Sequence, residues 1–156
     1  MVYGDKTFDA TFPTDMPDQF LWDFIRGSFE GDGSVSISTK GGTLRVCICG
    51  AAESFMIKMR EELSSKGIDV RATKRSGSFT TLHAATQVDA LRWLLFMYRN
   101  TDASIRMDRK FNKFVDFVRT YYDRPRKSAE ASELIERIRR EIPECAQEYT
   151  TEVIAA

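Results

Sequence analysis

Residues 24–34, Phe24-Ile25-Arg26-Gly27-Ser28-Phe29-Glu30-Gly31-Asp32-Gly33-Ser34, constrain this chain more than any other stretch. They read as the end of an apolar helix running into an acid held between two glycines, followed by a strand. The C-terminal end of a helix carries partial negative charge, so a carboxylate there costs on the order of 0.3–1 kcal/mol at an exposed site. A local rule broken in this way points to function rather than stability. A hard divalent cation, which prefers carboxylate, carbonyl and water oxygens, would profit from Asp32 and from the uncovered carbonyl of Gly31. Gly27 and Gly31 are four apart, hence one above the other on a helix face, where two bare positions let another backbone approach closely. Taken alone, Gly-Asp-Gly-Ser is also an ordinary turn after a helix stop. The flanking sequence decides between the two.

Upstream, residues 1–16 are polar and acidic and read as an arm or irregular lead-in. Pro17 suits the first turn of a helix carrying Leu21, Phe24, Ile25 and Phe29 at helical spacing. Downstream, Ser34–Ser38 and Leu44–Cys49 alternate strictly, with Gly41-Gly42 as their turn and Val35, Ile37, Leu44, Val46 and Ile48 inward. A second helix is expected over 52–66, with Lys66-Gly67 as its stop. Ile68, Val70 and Ala72 alternate with Asp69, Arg71 and Thr73 in a third strand. Lys74–Gly77 reads as a hairpin turn and Ser78–Ala84 as a fourth strand. A third helix is predicted over Gln87–Tyr98, with Trp93 and Phe96 covering the sheet edge. Ile105–Tyr122 reads as mostly helical, Arg124-Pro125-Arg126-Lys127 as a basic linker, and Ser128 as the cap of a last helix to about Glu141, ended by Pro143. The order is an α+β domain with an antiparallel sheet, apolar on one face and rich in Ser, Thr and Arg on the other. The domain proper is expected over 17–122, with 123–156 as linker, helix and tail.

The chain has 156 residues, enough for one domain with a full core. No apolar run approaches the roughly 20 residues of a membrane span, and Met1 is not followed by a basic-then-apolar signal. Cys47, Cys49 and Cys145 are an odd set without zinc spacing, and His83 is the single histidine. A reduced, intracellular, cytoplasmic protein is expected. Net charge is zero, but its distribution is uneven. Residues 1–32 carry two basic and seven acidic side chains, residues 71–127 carry thirteen basic and five acidic, and residues 128–156 carry three basic and seven acidic. A basic middle between acidic ends suits a polyanionic partner.

Ile25–Gly33 resembles the motif of the LAGLIDADG homing endonucleases in their single-motif form. Ile48-Cys49-Gly50 before a helix, Leu91-Arg92-Trp93-Leu94, and Ser104–Phe114 resemble further blocks of the phage and bacterial branch. The resemblance covers about residues 20–118 in order. It implies an αββαββα saddle whose antiparallel sheet lies in a DNA major groove, followed here by C-terminal helices. It implies a homodimer on a near-palindromic site, of intron or free-standing origin, with Gly27 and Gly31 at the helix–helix contact and Ile25 and Ser28 beside them. The implied reaction is hydrolysis of DNA phosphodiesters on both strands, with Mg²⁺ (or Mn²⁺) held by Asp32 and the Gly31 carbonyl. Lys110, with Arg109 as the alternative, would supply positive charge near the transition state. Glu30 is expected at the helix end, outside the metal's own ligands. Ser34, Ser36, Ser38, Arg45, Arg71, Thr73, Lys74, Arg75, Ser78 and Thr80 are types that hydrogen-bond base edges or phosphates, and Lys40, with Arg124, Arg126 and Lys127 of the linker, is expected on phosphate. Two other readings share the fold: a non-cleaving DNA-binding regulator and an RNA-splicing maturase. A structural domain whose glycines serve only a protein dimer is a third.

Overall fold

The computed structural model describes residues 10–74 and 79–146. Helix α1 runs Asp18–Asp32 and passes directly into strand β1, Gly33–Ile37. Then come β2 (Leu44–Gly50), α2 (Glu53–Ser65), β3 (Val70–Lys74), β4 (Thr80–Ala84) and α3 (Gln87–Tyr98). Helices α4 (Asp108–Arg119) and α5 (Ala129–Glu141) follow, each trailed by a short 3₁₀ turn, at Tyr121–Asp123 and Pro143–Ala146. The expected α+β class and the αββαββα order with added C-terminal helices are thus observed.

The four strands form one antiparallel sheet in the order β1-β2-β4-β3, so each hairpin contributes one central strand. Val35, Leu44, Val46, Ile48, Val70 and Leu82 share its inner face and are buried under the helices. Trp93, Tyr98, Phe29, Phe114, Phe117 and Tyr121 complete the core. Thr86 and Ser128 cap α3 and α5 by accepting the backbone N–H of Asp89 and Ala131.

Four expectations change. Phe12, within the expected arm, is buried against Phe24 and Phe55, with ring centroids 5.1 and 5.3 Å away. Trp93 is fully buried against Phe29 rather than at the sheet edge, while half-buried Phe96 packs near Trp22. The helix expected from Ile105 begins at Asp108, because Asp102 accepts the Ser104 backbone N–H at 2.8 Å and folds 102–105 into a turn. The Arg106 guanidinium then lies 3.6 Å over the Phe111 ring and binds Glu144. Finally, α5 joins the domain placed at 17–122: its Leu134, Ile135 and Ile138, with Ile142 just beyond it, belong to the same core as α1–α4. The proposed hairpin turn around Arg75–Gly77 and the tail from 147 lie outside the described residues.

Candidate nucleic-acid interface

The end of α1 is held by two residues that reach in opposite directions. Lys110, on the first turn of α4, is buried, and its Nζ donates to the carbonyls of Phe29 and Glu30, each at 2.8 Å. The Gly33 backbone N–H adds a bond to the Phe29 carbonyl. The carbonyls of the last turn and the negative end of the helix dipole make this a favourable seat for an ammonium. The same Nζ sits 5.3 Å from the Phe29 ring centroid. Burial pushes the Lys110 pKa down, Glu30 and Asp32 oppose that shift, and Arg109 adds to it. Glu30 answers from the other side. Its Oε1 accepts the Tyr98 hydroxyl at 2.7 Å and its Oε2 accepts the Met107 backbone N–H at 3.0 Å. Burial, with the bond to Glu30, pushes the Tyr98 hydroxyl well above its ordinary pKa. These bonds fix the corner two residues before Asp32.

Asp32 is exposed at that corner and lines a cavity of about 220 Å³ with Ser28, Cys49, Gly50 and Phe55 among others. Gly33 is required by packing, since a Cβ there would lie 2.3 Å from the buried Phe29 ring. Gly27 and Gly31 differ: a Cβ at either meets nothing within 4 Å. Nothing described within the chain explains two glycines in a helix, where each costs roughly 0.5–1 kcal/mol relative to alanine. Ser28 is half-buried beside them, but Ile25 is wholly buried in the chain's own core, so the structure removes it from any interface. Among the described residues no three His, Cys, Asp or Glu side chains come together to hold a metal. One exposed carboxylate and one glycine carbonyl are the donors at the corner. That set suits Mg²⁺, which keeps several waters and takes one or two carboxylates plus phosphate oxygens.

The outer sheet face starts beside Asp32. Cross-strand partners place Ser34, Cys47, His83 and Arg71 in one row across all four strands. Ser36 pairs with Arg45, and Cys49, Thr81 and Thr73 form a further row. Thr73 Oγ1 and His83 Nε2 are 3.1 Å apart. At a strand spacing of ~4.8 Å the four-strand row is about 14 Å across, near the ~12 Å width of a DNA major groove. Ser38 lies beyond β1, where the Gly42 N–H donates to its carbonyl, and Lys40 is exposed at the turn.

Two expected face residues do not reach this face. Thr80 and Lys74 pair with each other on the inner side, in phase with Leu82, Ala72 and Val70. Thr80 is buried, and Lys74 pairs with Glu53 of α2 at 3.2 Å. A one-residue shift of phase moves every side chain to the opposite face. Leu82, the lone large aliphatic of β4, carried the signal that puts Thr81 and His83 outward. Arg75 and Ser78 lie outside the described residues. Arg109 is exposed next to Lys110. No described helix is long and apolar enough to cross a membrane.

No protein-family model and no curated protein sequence matches the chain. Among solved structures, an archaeal intron-encoded homing endonuclease complexed with DNA is similar at a TM-score of 0.42 and 15% sequence identity, over 79% of this chain and 99% of that one.

Proposed function

We propose that the chain is a DNA endonuclease of the LAGLIDADG type that works inside the cell as a homodimer on a near-palindromic duplex site, with Mg²⁺ (or Mn²⁺) as its metal. The observation that carries this reading is the join of α1 to β1, where the exposed Asp32 carboxylate stands beside a polar face of groove width. Asp32 and the Gly31 carbonyl would hold the metal, which when bound lowers the pKa of the attacking water and neutralises charge on the leaving oxygen. Lys110 directs two of its three N–H donors to Phe29 and Glu30, one position short of the Gly31 carbonyl. Its role is to fix the helix end and to add positive potential near Asp32. Arg109, exposed one position earlier, is the better-placed cation to meet charge on the scissile phosphate. Ser34, Ser36, Arg45, Arg71 and Thr73 would read base edges, joined by His83 and Cys47. Gly27, Gly31 and Ser28 would form the two-fold contact with a second copy.

The capping bonds of Lys110 favour one other reading, a DNA-binding protein of the same fold that does not cleave. A lysine that holds two helix-end carbonyls has a reason to be present without any chemistry. A cleavage selection on a randomised plasmid library with Mg²⁺ separates the two, with Asp32→Asn as control. Double-strand cuts at one near-palindromic site with wild-type protein alone are the expected result. Equal, salt-sensitive enrichment of one sequence by both proteins with no cuts would leave the binding protein.

A further inference from the structure

The basic linker Arg124–Lys127, expected on phosphate, takes no part in the sheet face. In the structure it lies against the β1–β2 turn, at the end of β1 remote from Asp32. Arg126 Nε and Arg124 Nη1 lie 3.3 and 3.2 Å from where a Cβ would sit on Gly41 and Gly42. Gly42 has a φ of +62° and suits glycine on conformation alone. Gly41 has no positive φ, so what its bare Cα admits is the Arg126 guanidinium. The linker is held in place. Arg124 lies 4.7 Å over the Phe117 ring and donates to Thr120 Oγ1 at 2.8 Å. Lys127 Nζ donates to the Tyr122 carbonyl at 2.7 Å. Between linker and turn is a cavity of about 260 Å³ lined by Thr43, Gln87, Arg126, Lys127 and Ser128, none of them acidic. Arg126 and Lys127 are exposed at its rim.

We propose that this cavity is a second anion site, which takes a backbone phosphate of duplex DNA beyond the stretch covered by the sheet. The inference rests on the DNA-binding reading above. Five residues of β1 and the following turn set the site roughly 20 Å from Asp32 at ~3.4 Å per strand residue. That span corresponds to about six nucleotide steps at ~3.4 Å each along one strand. Arginine is suited to the task because its planar fork matches two phosphate oxygens at once.

The test is fluorescence anisotropy with a labelled mixed-sequence duplex of about 30 base pairs, titrated between about 50 and about 200 mM KCl. Four full-length proteins are compared: wild type, R126A/K127A, Gly41→Val, and R60A/K113A, which removes two exposed charges from α2 and α4. R126A/K127A is expected to bind about 5-fold more weakly at about 100 mM salt, with a log–log salt slope lower by about one for each phosphate it no longer neutralises. Gly41→Val keeps every charge but crowds Arg126 off the turn, and is expected to show about a 2-fold loss with part of the slope change. R60A/K113A is expected to stay near wild type. Equal losses in R126A/K127A and R60A/K113A, or no loss in R126A/K127A, overturn the site while leaving DNA binding intact. Wild-type protein that binds no duplex even at the lowest salt overturns the DNA-binding reading itself. Should R126A/K127A fail to fold, R126Q/K127Q and Gly41→Val take its place: both are expected to be impaired, and wild-type binding by R126Q/K127Q overturns the site.

Discussion

At the scale of single residues, Lys110 shows how one buried side chain can tie two helices together. Its ammonium is out of water, yet it meets two carbonyls at the end of α1, one of which also takes the Gly33 N–H. Lys110→Met is expected to destabilise the protein by about 1–3 kcal/mol, the usual cost of leaving buried polar groups unpaired, as measured by urea unfolding. A conservative apolar swap on the solvent side of α4 would cost far less. Glu144 gives a pH dependence of definite sign. Its bond to Arg106, 2.7 Å long, is the main cause that holds its carboxyl below the ordinary pKa. The unfolded chain therefore takes up that proton first as pH falls. The stabilising contribution is complete above the ordinary carboxylate pKa of about 4.5 and fades as pH drops below it. Thermal melting from pH 7 to about 3 should show this acid limb in wild type and a shallower one in Glu144→Gln.

At the scale of elements, the decisive contact is between the last turn of α1 and the first turn of α4. Lys110 reaches from α4 to α1, and Glu30 reaches from α1 to Tyr98 on α3 and to Met107 at the start of α4. Asp32 owes its position to this corner, because no loop separates α1 from β1. Glu30→Ala is expected to free the Met107 amide and fray the start of α4. Hydrogen exchange should then speed up at Met107 by about 10-fold or more, with strands β2 and β4 unchanged. Exchange that quickens equally throughout would show a general loss of stability instead.

At the scale of the whole molecule, the question is what Gly27 and Gly31 face. Space around both is open within one chain, so alanine there should help an isolated monomer. Gly27→Ala is expected to stabilise the monomer by roughly 0.5–1 kcal/mol and, at the same time, to weaken self-association by about 10-fold or more. Sedimentation equilibrium measures the second effect and dilute-solution unfolding the first. Opposite signs would tie the glycines to a two-fold contact. A variant that gains stability without losing association would remove them from it. The exposed Phe20, on the same side of α1 as Gly27, offers an apolar flank for such a contact.

Local sequence determined most of the elements, since period and punctuation act over a few residues. The helix of Gln87–Tyr98, both hairpins' inward aliphatics and the Ser128 cap follow from spacing and turn residues alone. The exposed acid between Gly31 and Gly33 is likewise legible, because it breaks a local electrostatic rule. Phase in β4 is legible too, through Leu82, but Ser and Thr on both sides of the strand mask it, so that Thr80 reads as outward where His83 is the residue that faces out. Other features depend on distant partners that no local pattern encodes. Lys110 and Glu30 find theirs more than 65 residues away in sequence, which is why the helix-capping bonds of Lys110 are not legible locally. Phe12 and α5 join the core for the same reason: apolar side chains are drawn to whatever surface the packed sheet and helices leave uncovered. Sequence set which groups stand at the end of α1; only tertiary packing decided which of them is left facing outward.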